Sequence, residues 1–130
     1  MTRDKFIDSM VDIAWVEQSE SYGHYPFQLY VQTEDGKIEL HALALGGDVA
    51  GCYMHVKKYR NANAKKIFLA LDFPAGGDIK DDFVAVCSVV DGKSECVCIP
   101  YDPKTGDVKP VIKEGEQLQL VLSQFNDSTT

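Results

Sequence analysis

Two Asp-Gly pairs, Asp35-Gly36 and Asp91-Gly92, each stand between runs rich in β-branched and aromatic residues. No other feature restricts the fold as strongly. A type I′ turn needs positive φ at both central residues, and Asp-Gly accepts that readily, so each pair predicts a β-hairpin with a two-residue loop. In YPFQLYVQT-EDGK-IELHALAL the expected register sets Phe27 against Ala44, Leu29 against Ala42, Val31 against Leu40 and Thr33 against Ile38. The opposite face then carries Gln28, Tyr30, Gln32, Glu39 and His41, together with Leu43. One face is apolar and the other mostly polar, and a slip of one residue would destroy that separation. In DDFVAVCSVV-DG-KSECVCIPY the same rule sets Cys87 against Cys96, with Phe83, Ala85, Val89, Ser94 and Cys98 on their face. Val84 and Val86, opposite Ile99 and Val97, make the other face apolar too, which predicts a central hairpin covered on both sides.

Helical spacing appears in three places. Ile7, Met10, Val11 and Ala14 predict a helix over residues 3–20, stopped by Gly23 and Pro26. Val49, Cys52, Tyr53, Val56 and Arg60 share one helical face, so a second helix is expected from residue 49 to near Asn61–Asn63. Asp48 is its expected N-cap, after the tight turn Gly46-Gly47. Near the C-terminus, Leu118, Val121, Leu122 and Phe125 fit a helix, while Leu118, Leu120 and Leu122 fit a strand; the longer match favours helix. Between these, KKIFLALDF is apolar without alternation and reads as a strand buried on both faces, which makes the preceding strand, helix and strand a candidate βαβ unit. VKPVIK reads as an edge strand, because Pro110 offers no ladder donor. The expected fold is therefore α+β: a single mixed sheet of five or six strands with two or three helices, in one domain over residues 1–125, followed by a disordered tail at 126–130.

Several activities are improbable on composition. With 130 residues and a net charge of −7, the chain repels nucleic acid and anionic membrane. Lys57, Lys58, Arg60, Lys65 and Lys66 form one basic stretch, read as a helix C-terminus whose dipole they complement. No apolar run approaches the ~18 residues of a membrane span, and no apolar signal core follows the N-terminus, so a cytoplasmic location is expected. Cys52, Cys87, Cys96 and Cys98 include no Cys-x-x-Cys, and in the cytosol they are expected reduced. Phosphate-loop, zinc-protease and nucleophile-elbow motifs are absent.

Three constellations remain. Cys52 and His55 stand at i, i+3 on one helix, as a thiol with a base. Asp72, Asp78, Asp81 and Asp82 crowd the second Gly-Gly-Asp loop, where a hard cation would want oxygens, although the spacing fits no EF-hand. The polar hairpin face Gln28, Tyr30, Gln32, Glu39 and His41 is a candidate protein-binding platform, since tyrosine is favoured at interfaces. The expectation is a non-enzymatic binding or regulatory protein acting through protein contacts, without cofactor or metal. The alternative is a small enzyme using Cys52 and His55 or the Asp72–Asp82 loop.

Overall fold

A computed structural model describes residues 1–12, 15–17, 23–43 and 49–127. In chain order the elements are α1 (Arg3–Asp12), β1 (Val16–Glu17), β2 (Gly23–His24), β3 (Phe27–Gln32), β4 (Ile38–Leu43), α2 (Val49–Asn61), β5 (Lys66–Phe73), β6 (Asp82–Val90), β7 (Lys93–Tyr101) and α3 (Glu116–Asp127). The first two strands form a small ribbon of their own, and the other five form one antiparallel sheet in the order β4-β3-β5-β6-β7. The fold is α+β, as its alternation of hairpins and helices implies. The sheet is not mixed, however. Strands β4 and β5 do run parallel and are joined through α2, but β3 lies between them and pairs antiparallel with both. The βαβ crossover exists without a parallel ladder.

Both faces of the sheet are covered. On one side α2 and α3 close a core around Leu29, Val31, Ile67, Leu69, Leu71, Phe83, Val56, Leu118 and Phe125. On the other, Phe6 of α1 packs with Tyr30, Phe68, Val84, Val86, Ile99 and Tyr101. The lack of alternation in β5 has this cause, because every residue from Ile67 to Leu71 is buried in one or other of these two cores. The second hairpin has the expected register, with Cys87 opposite Cys96 and Val86 opposite Val97. Its loop has positive φ at both Asp91 (51°) and Gly92 (80°), as a type I′ turn demands.

The first hairpin differs from expectation by one residue. Phe27 pairs with Leu43, Leu29 with His41, Tyr30 with Leu40, and Val31 with Glu39. Of the Asp35-Gly36 pair only Gly36 has positive φ, 87°. Gly36 N–H donates to the Thr33 carbonyl at 2.9 Å and Thr33 N–H to the Lys37 carbonyl at 2.8 Å, closing a three-residue loop. That is the arrangement of a turn followed by a glycine bulge, the next commonest hairpin connection. The Asp35 carboxylate stabilises it locally, accepting from the Thr33 hydroxyl and, at 3.3 Å, from Lys37 N–H. One extra loop residue moves every β4 side chain to the other face.

Two further expectations change. Helix α1 is described over Arg3–Asp12 and does not continue to residue 20, because Val16–Glu17 pairs as a strand with Gly23–His24. Trp15 then packs against Gly23 and Gly106, where any Cβ would overlap its side chain. VKPVIK forms no strand; it lies along β7 through single bridges at Tyr101–Val108 and Cys98–Ile112, on either side of Pro110. The C-terminal stretch is helical, with Leu118, Val121 and Phe125 buried. Asn126 and Asp127, expected to begin the disordered tail, instead complete α3. The expected cap Asp48 and its Gly46-Gly47 turn, the pairing partner Ala44 and the rest of the tail from residue 128 lie outside the described residues.

Candidate functional site at the open sheet edge

The two outer strands of the sheet are not equivalent. Strand β7 is covered, because Cys98 and Ile112 exchange two backbone hydrogen bonds of 2.8 Å and Lys109 N–H reaches the Pro100 carbonyl. Strand β4 has no such neighbour among the described residues. Thr33–Lys37 is a hydrogen-bonded pair, and the pair type alternates along an antiparallel ladder. Glu39 and His41 therefore bond inward to β3, while Ile38, Leu40 and Ala42 turn their N–H and C=O groups outward. All three also present apolar side chains, and the two large ones are exposed, Ile38 by 56% and Leu40 by 71%. A strand edge of this kind is a template for pairing with another strand, and proteins usually blunt it.

The slipped register divides the expected platform. Gln28, Tyr30 and Gln32 share the α1 side with Ile38, Leu40 and Ala42, whereas Glu39 and His41 lie on the α2 side. The expectation of one polar face holding all five is thus corrected. Tyr30 is 2% exposed, stacked on Phe68 with ring centroids 5.3 Å apart.

Glu39 and His41 acquire a partner the sequence did not suggest. Tyr59 follows Cys52 and Val56 along the buried stripe of α2 and arrives above β4. Its hydroxyl donates to Glu39 Oε1 at 3.1 Å and lies 3.0 Å from His41 Nε2. One hydroxyl cannot donate twice, so the imidazole N–H donates to it. Burial first, and then the Glu39 carboxylate, raises the Tyr59 hydroxyl above its ordinary pKa, so it stays protonated. The His55 ring stacks on that of His41, 6.5 Å between centroids and 21° between planes. Stacked rings do not converge their nitrogens. Among the described residues no three His, Cys, Asp or Glu side chains gather as a metal requires.

The other constellations do not assemble. Cys52 turns into the α2–α3 core at 4% exposure while His55 is exposed, so the proposed thiol and base part company. In the acidic loop each carboxylate serves the chain itself. Asp72 accepts from Tyr101 OH at 2.6 Å and Tyr25 N–H at 2.9 Å. Asp78 caps α3, accepting from Glu116 N–H and Gln117 N–H, both at 3.0 Å. Asp81 pairs with Lys109 at 2.7 Å, and Asp82 accepts from Ala75 N–H at 3.0 Å. Burial pushes the Asp72 carboxyl up to about 7, against the opposing pull of its two donors. Of the basic stretch, Arg60 lies over the Phe125 ring at 4.7 Å and so belongs to the α2–α3 contact.

Compared with protein-family models, with curated proteins and with solved structures, the chain matches none.

Proposed function

We propose that this chain is a protein-binding module that takes up a partner strand along β4. The observation that carries the reading is the edge itself: outward-facing backbone groups at Ile38, Leu40 and Ala42, beside side chains of Ile38 and Leu40 that are 56% and 71% exposed. Strand addition draws affinity from such main-chain groups and specificity from the alternate side chains. The Glu39–Tyr59–His41 cluster, fixed from below by α2, gives the other face of the strand a defined polar pattern. An acidic body directs the reading towards protein rather than nucleic acid, and a cytoplasmic setting would keep the four buried thiols reduced. The enzymatic reading is weaker, since Cys52 is buried away from His55 and the loop carboxylates already have donors.

The test is site-specific photo-crosslinking in living cells. A photoreactive residue replaces Ile38 at the edge or, as control, Leu120, which is 60% exposed on α3. Covalent adducts to protein from position 38 and none from position 120 are expected. Equal adducts from both, or none from either, would sink the proposal.

A further inference from the structure

We infer that the strand taken up by β4 is the β4 of a second copy, antiparallel about a two-fold axis at Leu40. This rests on the strand-addition reading and names its partner. Only residues whose backbone faces outward can form the hydrogen-bonded pairs of a new ladder, and on β4 these are Ile38, Leu40 and Ala42. A two-fold axis near the middle of the strand can pass through Glu39, Leu40 or His41, since one at Ala42 would run the ladder past Leu43, the last residue of β4. An axis at Glu39 sets that carboxylate against its own copy, and an axis at His41 sets imidazole against imidazole. An axis at Leu40 sets Glu39 of each copy against His41 of the other, twice. An axis at Ile38 would run half the ladder into the Thr33–Lys37 loop.

The Leu40 register also agrees with the pair geometry. Ile38 faces Ala42 and Leu40 faces Leu40 in hydrogen-bonded pairs, so all outward groups of both strands are satisfied. The Glu39–His41 pairs fall at the non-hydrogen-bonded positions, where Cα atoms approach to about 4.5 Å and side chains are closest. Side chains of both residues are partly exposed, 39% and 37%, and Tyr59 holds them beside each other on the same face. With Nε2–H given to Tyr59, the imidazolium still has its Nδ1–H to donate to the facing carboxylate. Three apolar residues from each strand, Ile38, Leu40 and Ala42, then meet on the opposite face. The two five-stranded sheets become one continuous sheet, and both open edges disappear.

The full chain is followed by sedimentation equilibrium across a concentration series, with circular dichroism as a check on folding. The wild type should double its mass as concentration rises, and the Ile38, Leu40 and Ala42 amides should gain hydrogen-exchange protection over the same range. Leu40→Lys, which sets two ammonium groups together on the axis, should weaken association about tenfold or more. Glu39→Lys should weaken it as well. Glu39→Lys/His41→Glu restores opposite charge across the axis and should recover dimerisation, which a different partner protein could not produce. A wild type that stays monomeric, a dimer indifferent to Leu40→Lys, or a double variant no better than Glu39→Lys would each overturn the inference. The position-38 crosslink separates the two levels of the argument. An adduct of two copies supports self-pairing. An adduct only with another protein overturns self-pairing and leaves strand addition standing. No adduct defeats both.

Discussion

Asp72 is the described carboxyl group that burial raises to about 7. It sits at the end of β5 with Tyr101 OH at 2.6 and 2.8 Å from its two oxygens, and Tyr25 crosses Tyr101 edge-on at 5.0 Å. The Tyr25 hydroxyl continues the chain of contacts to the Gly106 carbonyl at 2.8 Å. Burial dominates and raises the folded carboxyl to about 7 from an ordinary 3.8. The native state therefore holds a proton that the unfolded state has lost between these two values. Its contribution to stability is full below about pH 4 and declines as pH rises through 7, by a few kcal/mol at most. Asp72→Asn cannot titrate. Thermal unfolding followed across pH 4 to 7 should fall for the wild type and be flatter for the variant; equal slopes would refute the assignment. None of this was legible locally, because Tyr25 and Tyr101 are 47 and 29 residues away from Asp72. The sequence marks Asp72 only as one acid among four.

At the scale of elements, α3 and the second hairpin give the sharpest tests. Asp78 caps α3 from another part of the chain, 38 residues before Glu116. Gly115 makes room for it: its φ is 149°, and a Cβ there would meet the Asp78 carboxylate. Asp78→Ala and Gly115→Ala should each lower the melting temperature, and the double variant should cost less than the sum, since either change alone already removes the cap. Strict additivity would show that the two act separately. In the second hairpin the Cys87 and Cys96 sulfurs are 3.5 Å apart and buried. The Cys96 hydrogen bond and burial both raise the Cys87 thiol well above its usual range, so little reactive thiolate is present. Proximity favours a bridge and protonation opposes it. Mild oxidant should therefore leave the folded protein unchanged over minutes, and brief exposure to partial denaturant should yield a 87–96 bridge, read as a two-dalton loss on that peptide pair. Prompt oxidation of the native protein, or a bridge from Cys87 to Cys98, would contradict this account. That pairing is the one expected of Asp91-Gly92, and a type I′ loop with both φ values positive realises it.

For the whole molecule, the sheet lies between α1 and the α2–α3 pair, and among the described residues its β4 edge has no strand neighbour; that edge is where the proposed binding occurs. The sequence by itself determined what depends on neighbours along the chain. It specified the helix from Val49 to Asn61, the buried strand β5, the second hairpin and its register, and the helical stripe Leu118–Val121–Phe125. These rest on periodicity and turn chemistry, which act over a few residues. Tertiary structure decided what local preference leaves nearly balanced. Asp35-Gly36 can close either a two-residue or a three-residue loop, and the polar alternation of β3 was misleading because that strand is buried on both faces. Tyr30 is drawn inward onto Phe68, and Tyr59 reaches from α2 to satisfy Glu39 and His41 on the far side. Contacts between residues far apart in sequence therefore selected the register, and with it the apolar edge at Ile38 and Leu40. A small difference in turn energy could not resist the packing of two cores and a satisfied polar cluster.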